Sequence, residues 1–186
     1  MNDSSWEYEL TKPDPAPEFP AAFEGFFAQY RNGFLRLAGS RLRNRQDAED
    51  AVMEAAYKMY RKWERIMAHE NPRAMAYRIL HDHLVDFYRR RARMAGRDEA
   101  ARQHAPVATD FTGLSAFVKL DEVLETLEKS APMQANSVRL RHLADLSYED
   151  VALCLDITPG AAKANVSLGL AKLKELMNIP DAGKGD

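Results

Sequence analysis

The stretch 71–93, NPRAMAYRILHDHLVDFYRRRAR, is a helix with both ends marked. Asn71 is a capping residue, and Pro72 suits the first helical turn, where its missing N–H has no partner to lose. Apolar residues recur at Met75, Ile79 and Val85, with the Phe87/Tyr88 pair one turn on. That is helical spacing, not the alternation of a strand. The segment ends in Arg89, Arg90, Arg91 and Arg93. Such a helix packs at one end and offers an anion site at the other. Read alone, the arginine run is equally well a solvated helix end favoured by the macrodipole, so the flanking segments must decide.

Those segments are helical too. After Pro20, residues 23–42 carry an aromatic-rich stripe (Phe23, Phe26, Phe27, Tyr30, Phe34) that reads as core, with a break expected near Gly33. Asn44 and the residues after it read as a new cap. Residues 47–68 then form one expected helix, acidic at its start (Asp47, Glu49, Asp50) and basic toward its end (Lys58, Arg61, Lys62, Arg65), as the dipole favours. Alternating β-branched runs are missing, and with them any Asn-Gly hairpin, since Asn32-Gly33 lies inside the helical stripe. The fold class expected is all-α, as two small helical bundles joined by a flexible linker.

The boundaries follow from composition. Residues 1–18, proline-rich and acidic, read as a disordered N-terminal tail. Residues 19–94 form the first unit and 95–113 a Gly- and Pro-containing linker that starts at the break near Gly96. Residues 114–178 form the second unit, and 179–186 a loose tail. In the second unit Ser147 caps a short helix, Thr158 caps a longer one, and Pro159 takes its first position. Two helices so closely linked are what a helix-turn-helix looks like in sequence. Charge divides the same way. The net −2 conceals fifteen Lys/Arg against nine Asp/Glu in residues 19–94, between flanks that are each −4. A polyanion would meet the first unit.

The chain excludes several classes. No run of eighteen apolar residues exists, so membrane insertion is not expected. One cysteine, Cys154, allows no internal disulfide and fits a cytoplasmic protein. Among Leu153, Leu155 and Ile157 it reads as core filling rather than a redox switch. His81 and His83 are two apart and point roughly 200° away from each other on a helix, so one metal does not take both; a surface or DNA-facing role is expected of them. No phosphate loop, nucleophile motif or metal motif occurs, so no enzyme, catalytic residue, metal or cofactor is expected.

The order of parts resembles the extracytoplasmic-function class of bacterial RNA polymerase sigma factors. DAEDAVMEAAYKMYRKW is similar to that family's region 2.1–2.2, NPRAMAYRILHDHLVDFYRRRAR to its region 2.3–2.4, and LSYEDVALCLDITPGAAKANVSLGLAKLKELM to its region 4 helix-turn-helix. The resemblance covers about residues 20–93 and 117–177. It implies a protein that binds core RNA polymerase and promoter DNA, melting the −10 element with region 2 and contacting the −35 duplex with region 4. An anti-sigma factor or helper regulator is a further expected partner. Carried onto this chain, it implies DNA-backbone contacts from Arg73, Arg78, Arg89, Arg90, Arg91 and Arg93. It implies polymerase contact from Asp47, Asp50, Met53 and Glu54, because an acidic helix start repels DNA. Lys163 is expected on phosphate and Asn165 on a base, adenine by preference.

Two departures accompany the resemblance. Met75 stands where the family usually has tryptophan. The recognition helix, usually close to GTVKSRLHRA, reads GAAKANVSLG here, so Asn165 and Leu168 replace the usual arginines and duplex affinity is expected to be weak. That departure keeps a second reading open, in which the protein binds polymerase or another regulator without reading −35 DNA. An ordinary dimeric helix-turn-helix repressor is a third, but it leaves residues 19–94 unexplained.

Overall fold

The computed structural model describes residues 19–42, 44–98 and 118–177, and of residues 91–98, 118 and 119 the backbone alone. All regular structure among them is helical: α1 (Ala21–Leu42), α2 (Arg45–Tyr60), α3 (Trp63–Met67), α4 (Pro72–Asp98), α5 (Val118–Ser130), α6 (Pro132–Val138), a π-helical turn (Arg139–Leu143), α7 (Tyr148–Leu155) and α8 (Pro159–Leu176). The expected all-α class is what is observed.

The starts of these helices are fixed by side chains that accept otherwise orphaned N–H groups. Asn44 accepts from Asp47 at 3.0 Å, Asn71 from Ala74 at 2.9 Å, Ser147 from Asp150 at 3.1 Å and Thr158 from Ala161 at 3.2 Å. Each such cap contributes about 1 kcal/mol. The turn between α7 and α8 closes through Asp156, whose φ of 56° is left-handed.

The first bundle packs α1, α2 and α4 around Phe23, Phe34, Leu37, Val52, Met59, Tyr77, Leu80 and Leu84. α1 does not break at Gly33. That glycine is buried under Tyr77, and a Cβ there would lie 2.0 Å from the phenol oxygen. The single helix expected over 47–68 is instead two, because the chain turns at Arg61 and Lys62. Trp63, which opens α3, stands edge-on to Phe23 and Phe26 with ring centroids 5.3 and 5.2 Å away. At its other end α4 continues through Gly96 to Asp98, into the stretch read as linker. The rest of that stretch and both tails lie outside the described residues.

In the second half, α5, α6 and α8 enclose a small core of Leu124, Leu127, Ala135, Val138 and Leu173. Helices α6 and α8 approach closely at Gly169, where a Cβ would meet Val138 at 2.7 Å. The π turn and α7 face the other way. Leu140, Ala144, Leu146, Val151, Ala152 and Cys154 are buried in one cluster with the residues of the first bundle. The two halves therefore share a core, with α4 packed on α7 and α1 on the π turn.

Candidate nucleic-acid interface

Helix α4 carries most of the candidate site, and its sides do different work. Ala76, Tyr77, Leu80 and Leu84 are buried in the first bundle, while Met75 and Ile79 are only half-buried against it. The apolar face expected from Met75, Ile79 and Val85 is thus rotated. The reason is that α4 is covered on a second side by α7, where Ala74 is also buried.

Arg73 and Arg78, expected on phosphate, are engaged inside the molecule. Arg73 donates through Nη2 to the carbonyls of Ala144 and Asp145 at 2.8 and 2.9 Å, the point where the chain leaves the π turn. Its guanidinium lies 5.7 and 5.8 Å from the ring centres of Tyr30 and Tyr77. Burial raises the pKa of the Tyr77 phenol, with the cations of Arg73 and Arg36 acting against it. Arg78 donates to the carbonyl of Leu153 at 3.3 Å.

The C-terminal half of α4 is open. Tyr88, Arg89 and Arg90 are exposed. Arg90 lies 3.7 Å from Glu54 of α2 and 5.8 Å from the ring centre of Phe87. The backbone of Arg91 and Arg93 continues the same helix; their side chains lie outside the described residues.

The histidines correct the sequence reading, since neither faces solvent: His81 is 9% and His83 1% exposed. They do diverge, as their spacing requires. His83 sits between α2 and α4, its Nδ1 2.7 Å from Lys58 Nζ and its Nε2 3.3 Å from Glu54 Oε2. Lysine can only donate, so Nδ1 accepts; Nε2 lies near Glu54 without a hydrogen bond. Burial lowers the pKa of His83, and the Lys58 cation lowers it further. Charged side chains Glu54, Lys58, Asp86 and Arg90 line a shallow pocket over this ring. No group of three or more His, Cys, Asp or Glu is gathered as a metal site among the described residues.

Helix α2 offers the second surface. Asp50, Met53, Glu54 and Tyr57 are exposed on it, Met53 and Tyr57 each by half or more. Asp47 at its start is half-buried, and Asp50 accepts from Gln46 at 3.0 Å. Tyr57 went unnoticed in the sequence, although its i, i+4 spacing from Met53 sets it on the same strip.

On α8 the exposed face holds Gly160, Lys163, Ala164, Ser167 and Leu168, with Asn165 half-buried. Leu168 is 57% exposed. Lys163 is the one cation among these positions, as the substituted recognition motif predicts.

Sequence reasoning missed a buried ionic group. Arg139 is 2% exposed and donates to Glu128 at 2.7 Å, while Arg41 of α1 donates to the other oxygen of the same carboxylate and to Asn136 at 3.0 Å. The segment runs between the two cores, with Val138 in the small cluster and Leu140 in the shared one, so Ser137 through Leu140 are all buried and Arg139 with them. Burial pushes the Glu128 carboxyl upward, but the Arg139 and Arg41 cations outweigh it and hold its pKa below 4.5.

The comparisons with known proteins agree with this layout. Residues 26–94 match the family described as sigma-70 region 2, the α1–α4 bundle. The RNA polymerase sigma-E factor of Streptomyces coelicolor is 28% identical over 162 residues, 82% of this chain and 84% of that protein. Its counterpart in Streptomyces avermitilis is 24% identical over 159 residues, 86% and 87% of the two chains. A solved structure of the sigma factor RpoE in complex with the anti-sigma factor NepR from Bartonella quintana superposes with a TM-score of 0.71 at 20% identity. It covers 87% of this chain and 99% of that one, and it establishes the fold. A helical bundle with an arginine-ended helix, followed by a helix-turn-helix, defines a sigma-type transcription initiation factor. Residues 26–94 carry the sigma-70 region 2 match, and over most of its length the chain is similar to RNA polymerase sigma-E factors.

Proposed function

We propose that this sigma factor docks on core RNA polymerase through α2 and holds the melted −10 strand along the C-terminal half of α4. The exposed strip of Asp50, Met53, Glu54 and Tyr57 supports the first part, with Asp47 at its start. A mixed apolar and acidic strip suits a protein partner and repels nucleic acid. The run from Tyr88 through Arg93 supports the second, because single strands are held by aromatic and basic grooves. The carrying observation is that Arg89 and Arg90 stay exposed while Arg73 and Arg78 do not. The protein acts without catalysis of its own, in the cytoplasm where polymerase is. No helix among the described residues is long and apolar enough to cross a membrane.

Region 4 contact with −35 duplex is weak in this reading, carried by Lys163 and Asn165; a helper protein holds the second unit at the promoter, and an anti-sigma protein keeps the factor silent. The exposed Leu168 beside Ala164 and Gly160 favours one alternative, in which α8 meets a protein and not DNA. Run-off transcription with core polymerase on fragmented genomic DNA decides between them. Discrete starts sharing −10 and −35 sequences support the full reading. Starts sharing a −10 element only assign α8 to docking. No new starts, despite core binding, would favour the regulator reading or a helper missing from the assay.

A further inference from the structure

His83 is a buried titratable group that neither the docking strip nor the strand-holding helix end accounts for. It is enclosed between α2 and α4, with its ring edge-on to Phe87 at 6.2 Å between centres. Residues of both proposed surfaces face it. From α2 come Lys58, 2.7 Å from Nδ1, and Glu54, 3.3 Å from Nε2. From α4 come Asp86 and Arg90, and Arg90 also lies 3.7 Å from Glu54. Glu54 belongs to the exposed strip on α2, and Arg90 to the arginine end of α4.

The ring nitrogens stand in opposite situations. Nδ1 accepts from the Lys58 ammonium, so the ring is neutral in this arrangement. Nε2 is buried without a hydrogen-bond partner, although a carboxylate stands beside it. A proton added to the ring reverses both relations. Nδ1 then becomes a donor that faces another cationic donor, a contact that cannot persist. Nε2 becomes one end of an imidazolium, and Glu54 is the acid already placed to take a charge-assisted hydrogen bond from it.

We propose that His83 is a positioning residue whose protonation exchanges Lys58 for Glu54 and thereby weakens docking of α2 on core polymerase in acid. Neutral, the ring holds Lys58 inward and leaves Glu54 on the strip. Protonated, it sends Lys58 outward and draws Glu54 in, so the strip loses an acid and gains a cation. A basic partner face, the complement of this strip, then binds less well. Asp50 keeps its charge throughout, so docking is weakened and not abolished. Burial and the Lys58 cation both hold the ring neutral, which sets the change below the ordinary histidine value of 6.5. The docking consequence rests on α2 being the polymerase surface; the exchange of partners does not.

The experiment measures the affinity of the full chain for core polymerase from about pH 7.5 to pH 5.5 at fixed ionic strength, for wild type and His83→Gln. Circular dichroism at each pH checks that both are folded. Glutamine accepts from Lys58 and donates toward Glu54 but takes up no proton. Each protein is compared with itself, and the titration of the polymerase is common to both. Wild type is expected to lose affinity about fivefold or more beyond any loss in the variant, the lower end of the usual coupling between two sites. Equal loss in the two proteins overturns the proposal, and so does a greater loss in His83→Gln.

The docking reading is tested apart, with Met53→Ala and Tyr57→Ala combined at about pH 7.5. If that pair leaves core affinity unchanged, α2 is not the docking surface, and the exchange is judged in the free protein by NMR. Lys58 ammonium and Glu54 carboxyl resonances that titrate together with the His83 ring support it; a ring that titrates alone overturns it.

Discussion

Gly33 and Glu128 show how single side chains set the geometry that the larger parts use. The Tyr77 phenol lies where a side chain at position 33 would begin, so α1 and α4 approach as closely as they do only because Gly33 has none. Gly33→Ala is expected to destabilise the protein by about 1–3 kcal/mol, the usual cost of overpacking, and denaturant melts would read it as a lower midpoint at unchanged slope. Glu128 is held by two guanidiniums, one from each half. Removing its charge leaves Arg139 buried and uncompensated, so Glu128→Gln is expected to cost about 3–5 kcal/mol. The pH dependence has a definite sign. A carboxylate with a depressed folded pKa contributes stability above its unfolded value, 4.5, and loses it as pH falls through the folded value. Wild type and variant should therefore converge in acid and diverge above it.

Helices α2 and α4 are joined by His83, and that joint titrates in the opposite manner to a histidine gaining an acid. The groups facing the ring are Lys58, Glu54, Arg90 and Asp86, and the folded pKa lies below 6.5. As pH falls past 6.5 the unfolded chain takes the proton first, so stability declines by up to about 1.4 kcal/mol per pH unit until the folded ring also protonates. His83→Gln is expected to flatten that decline in melts between about pH 7.5 and pH 5; an unchanged slope would place the titration elsewhere, His142 included. The sequence showed why these helices exist but not how they meet. The caps at Asn44, Asn71, Ser147 and Thr158 were legible because capping is local chemistry at short spacing. The arginine block was legible because four cations in five residues do not occur in a packed face. His81 and His83 were misread as surface because polar residues next to Asp82 look solvated, and only a second helix on each side shows otherwise. Arg139 was invisible because its segment is enclosed by two cores at once, and a helix buried on opposite sides has no polar face to mark. The carbonyl contacts of Arg73 and Arg78 were equally hidden, since main-chain acceptors carry no sequence signal.

Taken whole, the molecule sorts its basic residues by position along α4, and charge alone does not reveal the sorting. The N-terminal pair is held by the second half, whereas Arg89 and Arg90 are exposed near the other end of the helix, with Arg91 and Arg93 continuing the same backbone. Polymerase contact is argued to come from α2, on a different strip. These assignments separate in one experiment. Replacing Arg89, Arg90 and Arg91 together with alanine removes up to three phosphate contacts, each of which releases a counterion on binding. The slope of log affinity against log salt is then expected to flatten by about two, with promoter binding weakest relative to wild type at low salt. Core polymerase affinity is expected to be unchanged, because the exposed Arg90–Glu54 pair contributes little and Met53 and Tyr57 are untouched. Thermal melts of the triple variant should also match wild type, since Arg89 and Arg90 are exposed and outside the core. Equal loss of core and promoter binding would show instead that the arginine end serves the polymerase surface, and the division of labour along α4 would have to be redrawn.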